Sequence, residues 1–121
     1  MSRRAALLMS ALFGLSTACI GTSQPDFPPQ VNIFHPADRD TVSGVVSIDV
    51  DAADDVAVDV VRIFVDGRQL GIDLYVGPYH ASWNTIGLPD SSAHTIRAEA
   101  RDQAGNTATQ QIVVTVINGT Q

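Results

Sequence analysis

Four aspartates form the group of side chains in this sequence that could hold a metal ion. Asp51, Asp54 and Asp55 lie at the end of a strand-like segment, and Asp102 begins the turn of a later hairpin pattern. If both segments end at the same pole of the fold, the carboxylate oxygens could converge, and such a set suits Ca²⁺. Aspartates also form turns by bonding to their own backbone, and no Asp-x-Asp-x-Asp-Gly calcium loop is present. We therefore predict that Asp54, Asp55 and Asp102 are turn residues and that no metal is bound, with a calcium site formed by the four carboxylates as the alternative.

Nucleophilic catalysis needs a serine or cysteine beside a base, and no motif in the sequence supplies both. The histidines are His35, His80 and His94, and none has a second histidine or a cysteine at metal-ligand spacing. Ser91 and Ser92 lie in a loop pattern without a Gly-x-Ser-x-Gly motif and without an evident base or oxyanion donor. The sequence therefore predicts no catalytic residue, no cofactor and no enzymatic activity.

Two aromatic residues could bind a sugar. Tyr79, Ala81 and Trp83 alternate along a short strand pattern, so their side chains share one face. An outward face would be a stacking platform and would indicate a carbohydrate-binding module. An inward face would place both rings in the core, which a small fold needs because aromatic side chains bury large apolar areas. We predict the inward arrangement.

The N-terminal segment has the pattern of an export signal. Arg3 and Arg4 precede an apolar run over residues 5–15, which is too short to span a bilayer as a helix. Small residues then lead to Cys19, and because this is the sole cysteine, no disulfide can form within the chain. The alternatives for this segment are an ordinary signal peptide cut after residues 16–18 and a buried core helix.

The run from Leu15 to Cys19 resembles the lipobox of bacterial lipoproteins, in which a lipidated cysteine becomes the mature N-terminus. Leu15 stands one residue further from the cysteine than in the usual motif. The resemblance implies that residues 1–18 are a lipoprotein signal peptide and that Cys19 carries lipid. It also implies an exported protein anchored to the cell envelope, at the outer membrane or cell surface in a cell with two membranes. Residues 19–30 contain three prolines and are predicted to be an extended linker.

The charge of the chain excludes one class of partner. Seven basic and thirteen acidic residues give a net charge of −6. Loss of Arg3 and Arg4 with the signal would leave five basic against thirteen acidic residues, a net charge of −8. An acidic surface repels nucleic acid, so nucleic acid is not an expected partner.

Alternating apolar residues and turn signals predict an all-β fold. Residues 58–65 form a strand pattern, and Asp66-Gly67 is the signal of a two-residue type I′ turn. A long hairpin is predicted from His94 to Val116, with Asp102 and Gly105 at the first and fourth positions of a type I turn. The remaining strand patterns are residues 31–35, 46–51, 68–72 and 79–83. Residues 84–93 are the longest predicted loop, of ten residues. About seven antiparallel strands in residues 31–118 indicate a β-sandwich of immunoglobulin type.

Three segments of the chain resemble the bacterial immunoglobulin-like domain of exported proteins. They are Val-Arg-Ile-Phe-Val-Asp-Gly at residues 61–67, Pro78-Tyr79 followed by Trp83, and the run from His94 to Asn106. The resemblance covers residues 29–117. It implies an immunoglobulin-like sandwich that serves as a spacer, an adhesion module or an enzyme appendage.

These features predict a membrane-anchored envelope lipoprotein whose immunoglobulin-like domain is structural or adhesive and binds a protein. The alternative is a secreted carbohydrate-binding accessory module. Expected partners are the membrane, through the lipid, and an envelope or extracellular protein or glycan. The linker enters at the first strand, so the acidic pole that carries Asp102 is predicted to face the membrane. Loops on a rigid scaffold often bind ligands, so we predict partner contacts at the opposite pole through Arg68, Leu88 and Pro89.

Overall fold

The computed structural model describes residues 27–119. The predicted signal peptide, Cys19 and most of the predicted linker lie outside this range. Within it the chain forms eight strands and no helix. In chain order the strands are β1 (Gln30–His35), β2 (Thr41–Val42), β3 (Val45–Ala53), β4 (Val58–Val65), β5 (Arg68–Gln69), β6 (Tyr79–Asn84), β7 (Ser92–Asp102) and β8 (Thr107–Val116).

The strands form two sheets, and the predicted all-β immunoglobulin-like sandwich is confirmed. The larger sheet has the order β2-β8-β7-β4-β5, and the smaller has the order β1-β3-β6. One pair departs from the predicted antiparallel arrangement, because β2 runs parallel to β8, with Thr41 opposite Thr115. Pro36 has no N–H to give to a ladder, so β1 ends before it. The chain then joins the other sheet.

Apolar side chains from both sheets meet in one core between the sheets. The alternation seen in the sequence places every second residue of β3, β7 and β8 inward. Trp83 is 6% exposed, and Tyr79 and Ala81 pack half-buried against the core, so the predicted inward arrangement is confirmed. The buried apolar residues of this core are Ile33, Val46, Ile48, Val50, Val61, Ile63, Trp83, Ile96, Ala98, Ala100, Ile112, Val114 and Val116.

Both predicted hairpin turns are present. Asp66 and Gly67 have φ angles of 51° and 85°, the positive pair that a type I′ turn requires. In the second hairpin the Gly105 N–H donates to the Asp102 carbonyl at 3.1 Å, and Gly105 has a φ of 93°. The two strands of this hairpin, β7 and β8, pair along their length, from Arg101 opposite Thr107 to Ser92 opposite Val116. Turn chemistry therefore sets the register of the strands that follow.

The connection after β5 differs from the prediction. β5 holds two residues, not the five predicted, and the segment from Leu70 to Pro78 is longer than the loop from Thr85 to Ser91. The prediction that residues 84–93 form the longest loop is therefore wrong. The reason is that Leu74 exchanges two backbone hydrogen bonds with Val61, at 2.8 and 2.9 Å, as an isolated bridge. The segment thus follows the edge of β4 without forming a regular ladder.

The strand registers define two poles. Gln30 pairs with Ala53, and the β4–β7 ladder begins at Val58 opposite Asp102, so these residues lie at one end, here called the proximal pole. The opposite end, the distal pole, carries residues 36–41, 66–68 and 85–91. The predicted grouping of turns at each pole agrees with these registers. Among residues 27–119, none belongs to a helix long and apolar enough to cross a membrane.

Candidate functional site

A cleft of about 370 Å³ opens at the distal pole. It lies between the tight turn after β4 and the loop that joins β6 to β7, here called the crossover loop (residues 85–91). Four apolar and four polar residues line this distal cleft: Val65, Leu70, Trp83, Leu88, Asp66, Arg68, Gln69 and His94. Both sheets contribute, since Trp83 belongs to the smaller sheet and His94 to the larger.

The structure brings two of the three predicted contact residues to this cleft. Arg68 is exposed on β5, and Leu88 is half-buried on the crossover loop. Pro89 is exposed on the same loop but does not line the cleft. The predicted grouping therefore holds for Arg68 and Leu88, and Pro89 lies beside them on the outer surface of the loop.

The crossover loop is held in place by hydrogen bonds to other elements. The Ser91 N–H donates to the Val116 carbonyl at 2.8 Å, and the Asn118 N–H donates to Asp90 Oδ1 at 2.8 Å. Thr85 is fully buried, and its hydroxyl donates to the Gly44 carbonyl at 2.7 Å. Thr85 and Asn118 could not be predicted as structural residues, because nothing in their local sequence shows which distant backbone groups they satisfy. The loop is thus a fixed wall of the distal cleft.

A chain of polar groups crosses from the tight turn to the crossover loop. Asp66 Oδ2 lies 2.6 Å from His94 Nδ1, and His94 Nε2 lies 2.8 Å from Ser92 Oγ. The prediction that no base lies beside the serines is therefore wrong for Ser92. The available signal was the alternation of Ser92 and His94 on one strand face, since residues two apart in a strand share a face. Their contact with Asp66 depends on the pairing of β4 with β7.

This order of serine, histidine and aspartate is that of a nucleophile, a base and an orienting carboxylate. The Ser92 hydroxyl, however, donates to the Pro89 carbonyl at 2.6 Å. The N–H groups of Ser91 and Ser92 also donate within the chain, to Val116 and Pro89 carbonyls, so neither is free for an oxyanion. Ser92 Oγ thus lies within hydrogen-bond distance of both the Pro89 carbonyl and His94 Nε2, and its single proton can be donated to only one of them at a time. The cluster in this arrangement links the turn to the crossover loop.

The charge of Asp66 is stabilised within this cluster. Burial alone would raise the pKa of the Asp66 carboxyl, but hydrogen bonds from His94 and from the Thr95 N–H outweigh it. The pKa of Asp66 therefore lies below its usual range. The Trp83 ring packs against the His94 ring in an edge arrangement, with centroids 5.4 Å apart. These contacts fix the inner wall of the distal cleft.

Arg68 differs from the other arginines in residues 27–119. It has neither an ion pair nor a side-chain hydrogen bond nor an aromatic contact with that part of the chain. The remaining four are each engaged: Arg39 with Asp38 at 3.8 Å, Arg62 with Asp73 at 2.9 Å, Arg101 with Asp59 at 2.9 Å, and Arg97 over the Phe64 ring at 4.2 Å. The guanidinium at the distal cleft is thus available to a ligand.

The four aspartates that were considered as calcium ligands differ in their exposure and in their hydrogen bonds. Asp54 Oδ2 accepts hydrogen bonds from the Val56 and Ala57 N–H groups, which is a turn-forming role. Asp51 and Asp55 are exposed. Within residues 27–119, no group of three or more acidic, histidine or cysteine side chains is arranged to hold a metal ion.

Asp102 is 3% exposed and organises the turn that it begins. Burial alone would raise the pKa of its carboxyl, but hydrogen bonds lower it overall. They come from the Asn106 side chain and the backbone N–H groups of Asn106 and Ala104, while the Asp54 carboxyl lies close beside Asp102. Asp54 Oδ1 is buried without a hydrogen-bond partner in the geometry, since two carboxylates both accept. Asp54 and Asp102 are thus the two of the four that come together.

A larger hollow, of about 420 Å³, lies beside β1 and β3. Its lining is Gln30, Val31, Asn32, Asp51, Ala52 and Ala53. Asp51 is the single titratable side chain in that lining, so no pair of groups there could share a proton or activate a nucleophile. The distal cleft, with Arg68 and the Asp66–His94 pair, is the stronger candidate for a binding site despite its smaller volume.

Two solved structures resemble this fold. The fibronectin(III)-like modules of Clostridium thermocellum CbhA superpose with a TM-score of 0.61 at 21% identity, covering 75% of this chain and 100% of theirs. An endo-beta-1,4-mannanase from Thermotoga petrophila gives a TM-score of 0.61 at 18% identity, over 77% of this chain and 20% of the mannanase. At these identities the likeness shows the fold alone.

A search of curated proteins finds no match to the sequence. The sequence model of the family described as bacterial Ig domain matches residues 29–98, more than half of the chain. The matched residues run from the start of β1 into β7 and include the whole lining of the distal cleft. This chain belongs to the bacterial Ig domain family.

Proposed function

We propose that the protein is a lipid-anchored module of the bacterial cell envelope that binds a protein partner through its distal pole. The observation that carries the proposal is the distal cleft, which is lined by Arg68 on β5 and by Leu88 on the fixed crossover loop. Cys19 precedes β1, which begins at the proximal pole. A lipid on Cys19 would therefore leave the distal pole facing away from the membrane.

The rigidity of the domain supports this proposal. Binding residues are often carried on loops that a stable scaffold positions, because ordering a mobile loop costs conformational entropy. Here the tight turn after β4 and the crossover loop are both fixed by hydrogen bonds. A partner would meet a preformed surface, in keeping with the structural and accessory roles of immunoglobulin-like modules.

A second candidate function is a carbohydrate-binding accessory role. Its support is the likeness in fold to modules of CbhA and to a mannanase, at 21% and 18% identity. Tyr79 and Trp83 do not form the stacking platform that this function would need, because Trp83 is 6% exposed and packs in the core. Protein binding at the distal pole is therefore the stronger proposal.

The test is capture of a partner from cell envelopes by the full chain purified in detergent. In one variant Leu88-Pro89-Asp90 are replaced by Gly-Ser-Gly, and in a matched control Asp54 and Asp55 at the proximal pole are replaced by asparagine. We expect the first variant to lose the partner and the control to keep it, with circular dichroism confirming that both fold. Retention by the first variant would contradict the proposal, as would loss in the control alone.

A further inference from the structure

We infer that the distal cleft binds a carboxylate carried next to an apolar side chain, as at the C-terminus of a partner's peptide chain. The inference rests on the proposed function, since it names the chemistry of the partner at the same pole. Two features carry it: an arginine without an acidic partner, and an apolar lining beside that arginine.

The arginine supplies the charge complement. Residues 27–119 contain twelve acidic residues and five arginines, yet Arg68 has no carboxylate of its own. Asp66 also lines the cleft, but its Oδ2 is paired with His94 and its Oδ1 accepts from the Thr95 N–H. Arginine binds carboxylates through two parallel N–H donors, which adds geometric selectivity to the charge. An incoming carboxylate is therefore the group that Arg68 best accommodates.

The rest of the lining accommodates a hydrocarbon group. Val65, Leu70, Leu88 and Trp83 contribute apolar surface to a cleft of about 370 Å³. This volume lies at the small end of ligand sites, which suits one or two residues of a peptide and not a drug-sized molecule. A terminal leucine or a similar residue would place its side chain here and its carboxylate at Arg68.

The same lining disfavours the other macromolecular ligands. Trp83 presents little surface, and its ring packs edge-on against His94, so no aromatic face is open for a sugar ring. A phosphate or nucleic acid would meet Asp66 on one side and an acidic domain around it. A peptide carboxylate needs a single cation and an apolar contact, and the cleft provides both.

Trp83 gives a direct measure of occupancy. It is the sole tryptophan of the chain and lines the cleft, so its fluorescence reports ligands that enter. The probes are an acetylated Gly-Ser-Gly-Leu peptide with a free C-terminus, the same peptide amidated, an amidated peptide with glutamate in place of leucine, and methyl glucuronide. They are titrated into the full chain in detergent.

We expect a saturable change with the free-acid peptide and binding about tenfold or more weaker for the amide, because hydrogen bonds to charged groups are the strong ones. Arg68→Gln should weaken binding of the free acid by a similar factor. Arg39→Gln, which alters an exposed arginine paired with Asp38, should leave it unchanged. Equal binding of acid and amide, or full binding by Arg68→Gln, would overturn the inference.

The remaining probes separate a terminal carboxylate from other sources. Preferred binding of the glutamate peptide would overturn the C-terminal assignment in favour of a side-chain carboxylate, and preferred binding of the glucuronide would overturn it in favour of a glycan. Failure of the inference is distinguishable from failure of the proposed function. Partner capture that depends on Leu88-Pro89-Asp90 but not on Arg68 would overturn only the carboxylate inference.

Discussion

At the scale of single residues, His94 is the position where several roles meet. It precedes the inward positions Ile96, Ala98 and Ala100 along β7 and lies on the same face, so its ring closes the distal end of the core. One edge meets Trp83, and its nitrogens meet Asp66 and Ser92. A residue that the sequence presents as an ordinary strand start therefore joins core, turn and crossover loop.

Trp83 is the residue whose loss should affect stability most directly. Trp83→Ala removes a ring that is 6% exposed, and truncation of a buried aromatic costs about 3–5 kcal/mol. A domain of this size has about 5–15 kcal/mol of total stability, so the loss should be severe. The measurement is thermal unfolding followed by circular dichroism.

His80→Ala is the matched control for Trp83→Ala, because His80 is exposed on the opposite face of the same strand. Surface changes of this kind usually stay within about 0.5 kcal/mol. An unchanged melting temperature for Trp83→Ala would contradict the inward placement of the ring and would restore sugar stacking as a candidate function.

At the scale of elements, the large sheet carries its charges as a ladder on its outer face. Arg62 on β4 donates to both oxygens of Asp73, at 2.9 and 3.1 Å, and lies 3.8 Å from Glu99 on β7. The Asp73 carboxylate raises the pKa of Arg62 above its usual value, chiefly through its hydrogen bond with the guanidinium. Asp73 thereby fixes the long segment from Leu70 to Pro78 against β4.

The hairpin of β7 and β8 gives a test of turn chemistry. Gly105 has a φ of 93°, and a Cβ added there would meet no atom within 4 Å, so only the backbone conformation resists substitution. An L-residue in the left-handed region costs about 1–2 kcal/mol. Gly105→Ala should lower the unfolding free energy, measured by urea denaturation, by about that amount.

Gln103→Ala in the same turn is the control for Gly105→Ala, since Gln103 is exposed and its φ is not positive. The control should change the unfolding free energy by less than about 0.5 kcal/mol. Equal effects of the two substitutions would show that the left-handed conformation of Gly105 does not determine the stability of this turn.

The elements that the sequence predicted well are those set by local chemistry. The Asp66-Gly67 turn, the Asp102–Gly105 turn and the strands beside them follow from residues within a few positions of one another. The parallel pair of β2 with β8 was not predictable in this way, because Thr41 and Thr115 are distant in sequence and β2 has two residues. The cluster of Ser92, His94 and Asp66 was missed for the same reason, since it requires the register of β4 on β7.

At the scale of the whole molecule, the two poles differ in chemistry. Both poles carry aspartates, namely Asp54, Asp55 and Asp102 at the proximal pole and Asp38, Asp40, Asp66 and Asp90 at the distal pole, but only the distal pole carries Arg68 beside an apolar cleft. Repulsion between carboxylates and anionic lipid heads extends about 8 Å at physiological salt. A domain tethered at the proximal pole would therefore stand off an anionic membrane surface, with the distal pole accessible to other proteins.

The tether itself is tested at Cys19. If this cysteine carries lipid, the wild-type chain should sediment with membranes, partition into the detergent phase and incorporate a labelled fatty acid. Cys19→Ala should abolish labelling and release or misprocess the chain, because no other cysteine is present to accept lipid. Thr17→Ala is the matched control, since a small residue remains in front of the cysteine, and it should behave as the wild type.

Recovery of unlabelled wild-type protein in the soluble fraction, cut near residues 16–18, would contradict lipid anchoring and would indicate a secreted protein. The proposed orientation of the two poles relative to a membrane would then be unsupported, because it depends on a lipid at Cys19.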